Sequence, residues 1–164
     1  MLKLAEFHNN LQYSNLRSKG WDLLILYTQA YCESNLSNEL TMNAYNPFSV
    51  KVSKNWKGDV YLLKNNPEVV NGKEVIIPDV FKKYPNFTTA IYDFANTIER
   101  VYPESFLHRN EYKLFYYWLV NGKSKYATCL NYPERLVSKY EELDINDFKE
   151  CLNSWGEKVL WATS

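Results

Sequence analysis

The sequence predicts an α+β fold, mainly helical, with one small sheet set among the helices. Three observations carry this. Most of the chain places apolar residues at helical spacing. One central stretch, residues 46–84, switches to β-branched and turn residues around an Asn71-Gly72 pair. The 164 residues suit one domain with a core large enough to fold alone.

The elements follow in order. "LKLAEFHNNLQ" sets Leu4, Phe7 and Leu11 on one helical face. Ser18 and Gly20 precede "WDLLILYTQAYCE", a helix predicted from Trp21 to Glu33. It is apolar nearly all round, which predicts a buried, central helix. "SNELTMNAY" predicts a short helix capped by Ser37. Asn71-Gly72 between apolar runs predicts a tight β-hairpin, the only sheet. "NFTTAIYDFANTIERVY" returns to helical spacing through Ile91, Phe94, Ala95, Ile98 and Val101. "NEYKLFYYWLVNG" predicts a helix stopped near Gly122. "NYPERLVSKYEEL" opens with Asn131 and Pro133, which suit a cap and a first turn. "DINDFKECLNSWG" predicts a last helix capped by Asp144 or Asn146. No repeat or low-complexity segment divides the chain, so a single domain is expected over residues 1–164, with a last helix and tail in 144–164.

Composition removes several classes of function. Lys+Arg and Asp+Glu both number 19, so there is no basic excess for nucleic acid and no acidic tail. No run reaches transmembrane length, and no membrane partner is expected. "MLKLAEFHNN" lacks a long apolar h-region, so no signal peptide is expected. Cys32, Cys129 and Cys151 are widely spaced, and His8 and His108 are the only histidines. With no CxxC and no HExxH, neither a metal nor another cofactor is expected, and the cysteines read as free thiols of a reducing compartment. A Cys32/His108 nucleophile pair lacks any cysteine-protease signature, and there is no Walker loop and no G-x-S-x-G. The chain has 14 Tyr, 8 Phe and 5 Trp, enough either to fill a core or to line a groove that stacks on sugars; composition favours the core.

Glu33 is the candidate with chemistry. It ends an apolar helix, where the negative end of the macrodipole disfavours a carboxylate. A hydrophobic wall adds desolvation, which also favours the neutral acid. Both effects suit a general acid at neutral pH. Glycosidases usually pair such an acid with a second carboxylate. The hairpin offers Glu68 in "NNPEVVNG" and Glu74 on an alternating strand. Glu68 is preferred because it lies on an irregular segment beside a proline. Asp59 and Asp79 are runners-up.

These residues sit in a familiar order. Ala30-Tyr31-Cys32-Glu33-Ser34 resembles the "A-x-x-E-S" motif of bacterial and phage glucosaminidases, glycoside hydrolase family seventy-three. "NPFSVK" (Asn46 to Lys51) is similar to that family's "N-L-F-G-I-K", and Trp56-Lys57-Gly58 to its "W-x-G". "PEVVNG" resembles its "T-x-E-y-x-n-G", and "DVFKKYPNF", with Tyr84, its "F-r-x-Y-x-s". "KYATCLNYPERL" is similar to "g-Y-A-T-D-p-x-Y-a-x-k-L". The resemblance covers about residues 17–143. It implies a lysozyme-like α-lobe carrying Glu33 and a small β-hairpin lobe carrying Glu68, flanking a substrate groove. It implies cleavage of the β-1,4 bond after N-acetylglucosamine in peptidoglycan glycan strands. Glu33 carries over as the general acid, Glu68 as the second carboxylate and Tyr126 as a residue beside the acid. Asn46, Phe48, Trp56 and Tyr84 carry over as substrate-binding positions. Tyr126 also has a plain reading, a core tyrosine with a satisfied hydroxyl.

The chain departs from the family at Asn35-Leu36-Ser37, where "G-W-G" is usual, at Cys129 in place of the aspartate of "Y-A-T-D", and at Pro47 and Ser49. The first departure puts the acceptor-side wall of the groove in question, and the second the loop around Cys129. Alternative readings are a lytic transglycosylase or muramidase on the same fold, and a non-enzymatic virion or wall-binding component. A lone domain without export is expected to be a phage enzyme made in the host cytoplasm, acting on the cell wall either on release or from a virion. Other virion proteins would then be partners.

Overall fold

The structure, a computed structural model, describes residues 2–127 and 131–153. The expectations at Cys129 and in the 154–164 tail lie outside the described residues. Helix α1 (Leu2–Gln12) buries Phe7 and Leu11. Helix α2 (Leu23–Ser34) runs through the middle, and every residue from Leu23 to Ala30 is buried, as its uniform apolarity predicts. It starts two residues later than expected, because the Asp22 carboxylate accepts the Leu24 N–H at 3.0 Å and so caps it. Trp21 falls outside the helix and packs its ring against Phe106 and Phe115. The short helix α3 (Glu39–Asn43) is capped by Asn38 rather than Ser37: Asn38 Oδ1 accepts from Thr41 N at 3.1 Å, the usual three-residue reach of a cap.

Strands β1 (Val60–Val70) and β2 (Lys73–Lys82) pair antiparallel in a two-stranded hairpin. Asn71 and Gly72 both hold positive φ, 52° and 78°, the turn that an Asn-Gly pair favours. Pairing slips between Leu63 and Asn66, a bulge that bends the strand. Residues 50–52 run along the base of β2: Lys51 bridges Phe81, Val52 N–H donates to Val80 O at 3.1 Å, and Lys82 N–H to Val50 O at 3.0 Å.

Helix α4 (Phe87–Val101) buries Ile91, Phe94, Ala95 and Ile98, the stripe read from the sequence. A short helix α5 (Pro103–Leu107), opened by Pro103, was not anticipated. Helix α6 (Tyr112–Asn121) stops at Gly122, where a side chain would meet Glu104 Oε2 and Trp118 O, each at 2.9 Å. Helix α7 (Tyr132–Leu143) holds Pro133 in its first turn. Residues 148–153 are helical, and of the two expected caps Asp144 serves, its Oδ1 accepting from Lys149 N at 2.9 Å. Many rings go to the core: Phe48 stacks on Phe94 at 4.1 Å, and Tyr112 on Tyr140 at 3.9 Å. No described helix is long and apolar enough to cross a membrane.

One buried carboxylate joins three of these pieces. Asp22 is 5% exposed. Beyond Leu24 N–H it accepts from the Tyr140 hydroxyl on α7 and from Asn153 Nδ2 at 3.1 Å, with Lys149 Nζ at 3.5 Å. Asp22→Ala therefore uncaps α2 and leaves buried donors unpaired. The expected loss is about 2–4 kcal/mol of unfolding free energy, measured by urea titration, with Asp22→Asn costing less. A loss within experimental error in the alanine variant would show that Asp22 does not hold these elements together.

Candidate active site

A groove of about 630 Å³ separates the helices from the hairpin. Glu33, Glu68 and Tyr126 all line it, together with Lys51, Lys125 and Tyr132. These six side chains come from five separate chain segments. Glu33 stands in the last turn of α2, Lys51 on the loop before β1, and Glu68 near the outer end of β1. Tyr126 lies on the loop after α6, and Tyr132 opens α7.

Glu33 is half-buried. Burial raises its carboxyl above the usual range, while the Tyr132 hydroxyl and the cations Arg135 and Lys51 pull less strongly the other way. The Tyr132 hydroxyl donates to Glu33 Oε1 at 2.7 Å. Gln29, one turn earlier on α2 and fully buried, donates from Nε2 to the Tyr132 hydroxyl oxygen at 3.3 Å. The backbone behind the acid is also held, because Ser49 Oγ donates to Glu33 O at 3.1 Å. That bond satisfies one of the carbonyls that a helix end leaves without an intrahelical donor.

Tyr126 is tied by its N–H to Leu119 O at 2.7 Å. Its ring stacks on Tyr132 at 5.9 Å and meets Phe94 and Tyr102 edge-on. Burial and the nearby Glu33 charge push both the Tyr126 and Tyr132 hydroxyls well above the usual tyrosine range, so both remain O–H donors. Across the groove the Lys51 ammonium bonds Glu68 Oε1 and lies 2.7 Å from Asp79 Oδ2. Glu74 stands opposite Val69 beside the turn and is exposed. Among the described residues no cluster of His, Cys, Asp and Glu could hold a metal ion.

The four expected substrate-binding positions are placed otherwise. Asn46 is fully buried and staples the loop: Nδ2 donates to Val50 O at 3.0 Å and Lys82 O at 2.9 Å, and Oδ1 accepts from Val50 N at 2.9 Å. Phe48 is core, stacked on Phe94. Tyr84 is buried, and its hydroxyl donates to Asp93 Oδ2 at 2.5 Å. Trp56 is half-buried against Tyr84, with the Lys82 ammonium 4.6 Å from its ring and its Nε1–H on Asp59 O. None of the four lines the groove. They fasten the hairpin to the helices, and a family motif preserves such fasteners as readily as it preserves ligand contacts.

Sequence reading missed Tyr132, Gln29 and Lys51. A signal existed for two of them. Gln29 is a polar residue four positions before Glu33 on an otherwise apolar helix, so it shares the face of the acid. Tyr132 sits inside the quoted "LNYPERL" segment. The departures from the family are absorbed by the backbone. Asn35 and Leu36 take left-handed φ of 54° and 53°, and Ser49 a φ of 52°, where the family has glycines or a glycine-flanked ring.

The family model for glucosaminidase, described as mannosyl-glycoprotein endo-beta-N-acetylglucosaminidase, matches residues 12–145. A C-terminally truncated glycoside hydrolase domain of FlgJ from Salmonella typhimurium shares 24% identity and a TM-score of 0.61, over 87% of this chain and 95% of that one. The catalytic domain of the autolysin Auto from Listeria monocytogenes shares 24% identity and a TM-score of 0.62, over 87% and 85%. A peptidoglycan hydrolase mutant from Sphingomonas sp. A1 shares 20% identity and a TM-score of 0.63, over 92% and 91%. No curated protein sequence matches the chain. These likenesses agree on the fold, and with most of its length matched by the family model, the chain belongs to the glucosaminidase family of glycoside hydrolases.

Proposed function

We propose that this groove hydrolyses the β-1,4 bond after N-acetylglucosamine in bacterial peptidoglycan. The observation that carries the reading is Glu33: a half-buried carboxyl at a helix C-terminus, raised by burial, with a hydroxyl donor on one oxygen and a second carboxylate in the same groove. Glu33 protonates the leaving oxygen. Glu68 either takes a proton from the attacking water or supports attack by the substrate's own acetamido group. Tyr126 offers an O–H to the sugar or to charge developing beside it, and Tyr132 orients Glu33. Mass spectrometry of fragments from purified peptidoglycan tests the bond. A reducing N-acetylglucosamine end is expected. An anhydro-muramic end would make the protein a lytic transglycosylase, a reducing muramic end a muramidase, and intact glycan a non-enzymatic binder.

Glu33→Gln keeps size but cannot donate the proton. Lysis of sacculi, followed by turbidity, should fall at least about a hundredfold with an unchanged circular dichroism spectrum. Native-like activity in that folded variant would remove Glu33 from the role.

At the hairpin, Glu68→Gln should cost more than about a hundredfold in rate, and Glu74→Gln little. Initial rates on the same substrate rank the two, and a reversed order would transfer the second role to Glu74.

The tyrosines separate by different readouts. Tyr126→Phe should lower turnover with little change in melting temperature; loss of about 1 kcal/mol of stability with unchanged turnover would make it a core residue only. Tyr132→Phe removes a donor that favours the ionised form of Glu33. Glu33 should then hold its proton to higher pH, so the alkaline limb of the rate profile should move up as the plateau falls. An alkaline limb left in place would argue that the bond to Glu33 is idle.

A further inference from the structure

Lys51 has no role in the reading above, yet its ammonium touches the second carboxylate. Its ammonium bonds Glu68 on β1 and Asp79 on β2. The two carboxylates lie on either side of the bulge, since Glu68 pairs with Val75 and Asp79 with Leu63. The root of the side chain is fixed as firmly as a strand. Lys51 bridges Phe81, and both backbone groups of Val50 are bound by the buried Asn46 amide. The tip is 48% exposed, so the pair adds little to stability. A fixed root, a solvated tip and two acidic partners make an arrangement that orients charge more than it holds the fold together.

We propose that Lys51 is a positioning residue for Glu68, setting the place of that carboxylate across the groove from Glu33. The inference rests on Glu68 being the second carboxylate. Burial pulls Lys51 down, but its bonds and charges with Asp79 and Glu68 outweigh that and hold it above the usual lysine range, so it stays a cation wherever the enzyme works. Among the described residues, the other ionisable groups around the groove are Glu33 on α2, Lys125 and Tyr126 on the loop after α6, Tyr132 on α7 and Tyr61 on β1, with Glu74 beyond them on β2. The ammonium draws Glu68 and Asp79 toward one point, and Lys51→Met removes that tie. Glu33 also loses a cation that favours its ionised form.

The test is Lys51→Met, with Lys51→Arg as the rescue. Lys51→Met should lower kcat about tenfold or more with KM little changed, because a displaced carboxylate loses the geometry the reaction needs. The unfolding midpoint should stay within about 3 °C of native. Lys51→Arg should restore most of the rate. A second readout needs no turnover: the NMR signal of the Glu68 side-chain carboxyl carbon, assigned through its loss in Glu68→Gln, should change position in Lys51→Met and return toward the native position in Lys51→Arg. An unmoved carboxyl signal, or a loss of rate that arginine does not rescue, would overturn the proposal. A native protein that leaves peptidoglycan intact would sink the enzymatic reading instead, while the carboxyl signal would still decide whether Lys51 sets the place of Glu68.

Discussion

Everything in this fold is arranged around one buried helix with a carboxylate at each end. At the N-terminus of α2 the macrodipole and the Leu24 N–H favour negative charge, and the Asp22 carboxylate is partnered from three sides. At the C-terminus the dipole opposes negative charge, and burial raises the Glu33 carboxyl above its usual range. The same functional group is an anchor at one end and a perturbed carboxyl facing the groove at the other. Because α2 is rigid and buried along its length, fixing Asp22 to α7 and to the 148–153 helix also fixes where Glu33 emerges.

The backbone around Glu33 is strained to achieve this placement. Asn35, Leu36 and Ser49 all hold left-handed φ, which costs a side-chain-bearing residue about 1 kcal/mol or more each. Each is offset locally. Asn35 N–H closes the helix on Tyr31 O at 2.7 Å, Leu36 is buried in the core, and Ser49 Oγ reaches the Glu33 carbonyl. Glycine at Ser49 would relax the backbone and lose that last bond. The departure from the family motif therefore brings a contact of its own to the residue that carries the acid.

The hairpin forms the other side of the groove, and its base is tied to the rest of the chain by several contacts. Asn46 closes the loop on Val50 with two hydrogen bonds and ties it to β2 with a third, to Lys82 O. Lys82 Nζ and the Tyr84 hydroxyl converge on Asp93 of α4, at 3.0 and 2.5 Å, with Trp56 covering the lysine. Glu68 and Lys51 lie beyond this clamp, toward solvent, where the strand bulges and the side chains stay accessible. A rigid base with an open outer end suits a lobe that must admit a polymer and still keep a carboxylate in place.

Local physics made much of this legible in the sequence. Apolar periodicity located the long helices, uniform apolarity marked α2 as central, and Asn71-Gly72 set the hairpin turn, because period and turn geometry depend only on residues near one another in the chain. The unusual position of Glu33 was legible for the same reason. The ends of elements moved where a neighbouring side chain captured a backbone donor, as Asp22 and Asn38 do. What surrounds Glu33 was decided by tertiary packing alone. Tyr132 reaches it across 99 positions of chain, and Lys51 meets Glu68 and Asp79 only after two strands and a loop are in register. The motif residues Asn46, Phe48 and Tyr84 read as ligand contacts in sequence, but a motif does not say which way a side chain faces. Packing turned all three inward, and none of them lines the groove.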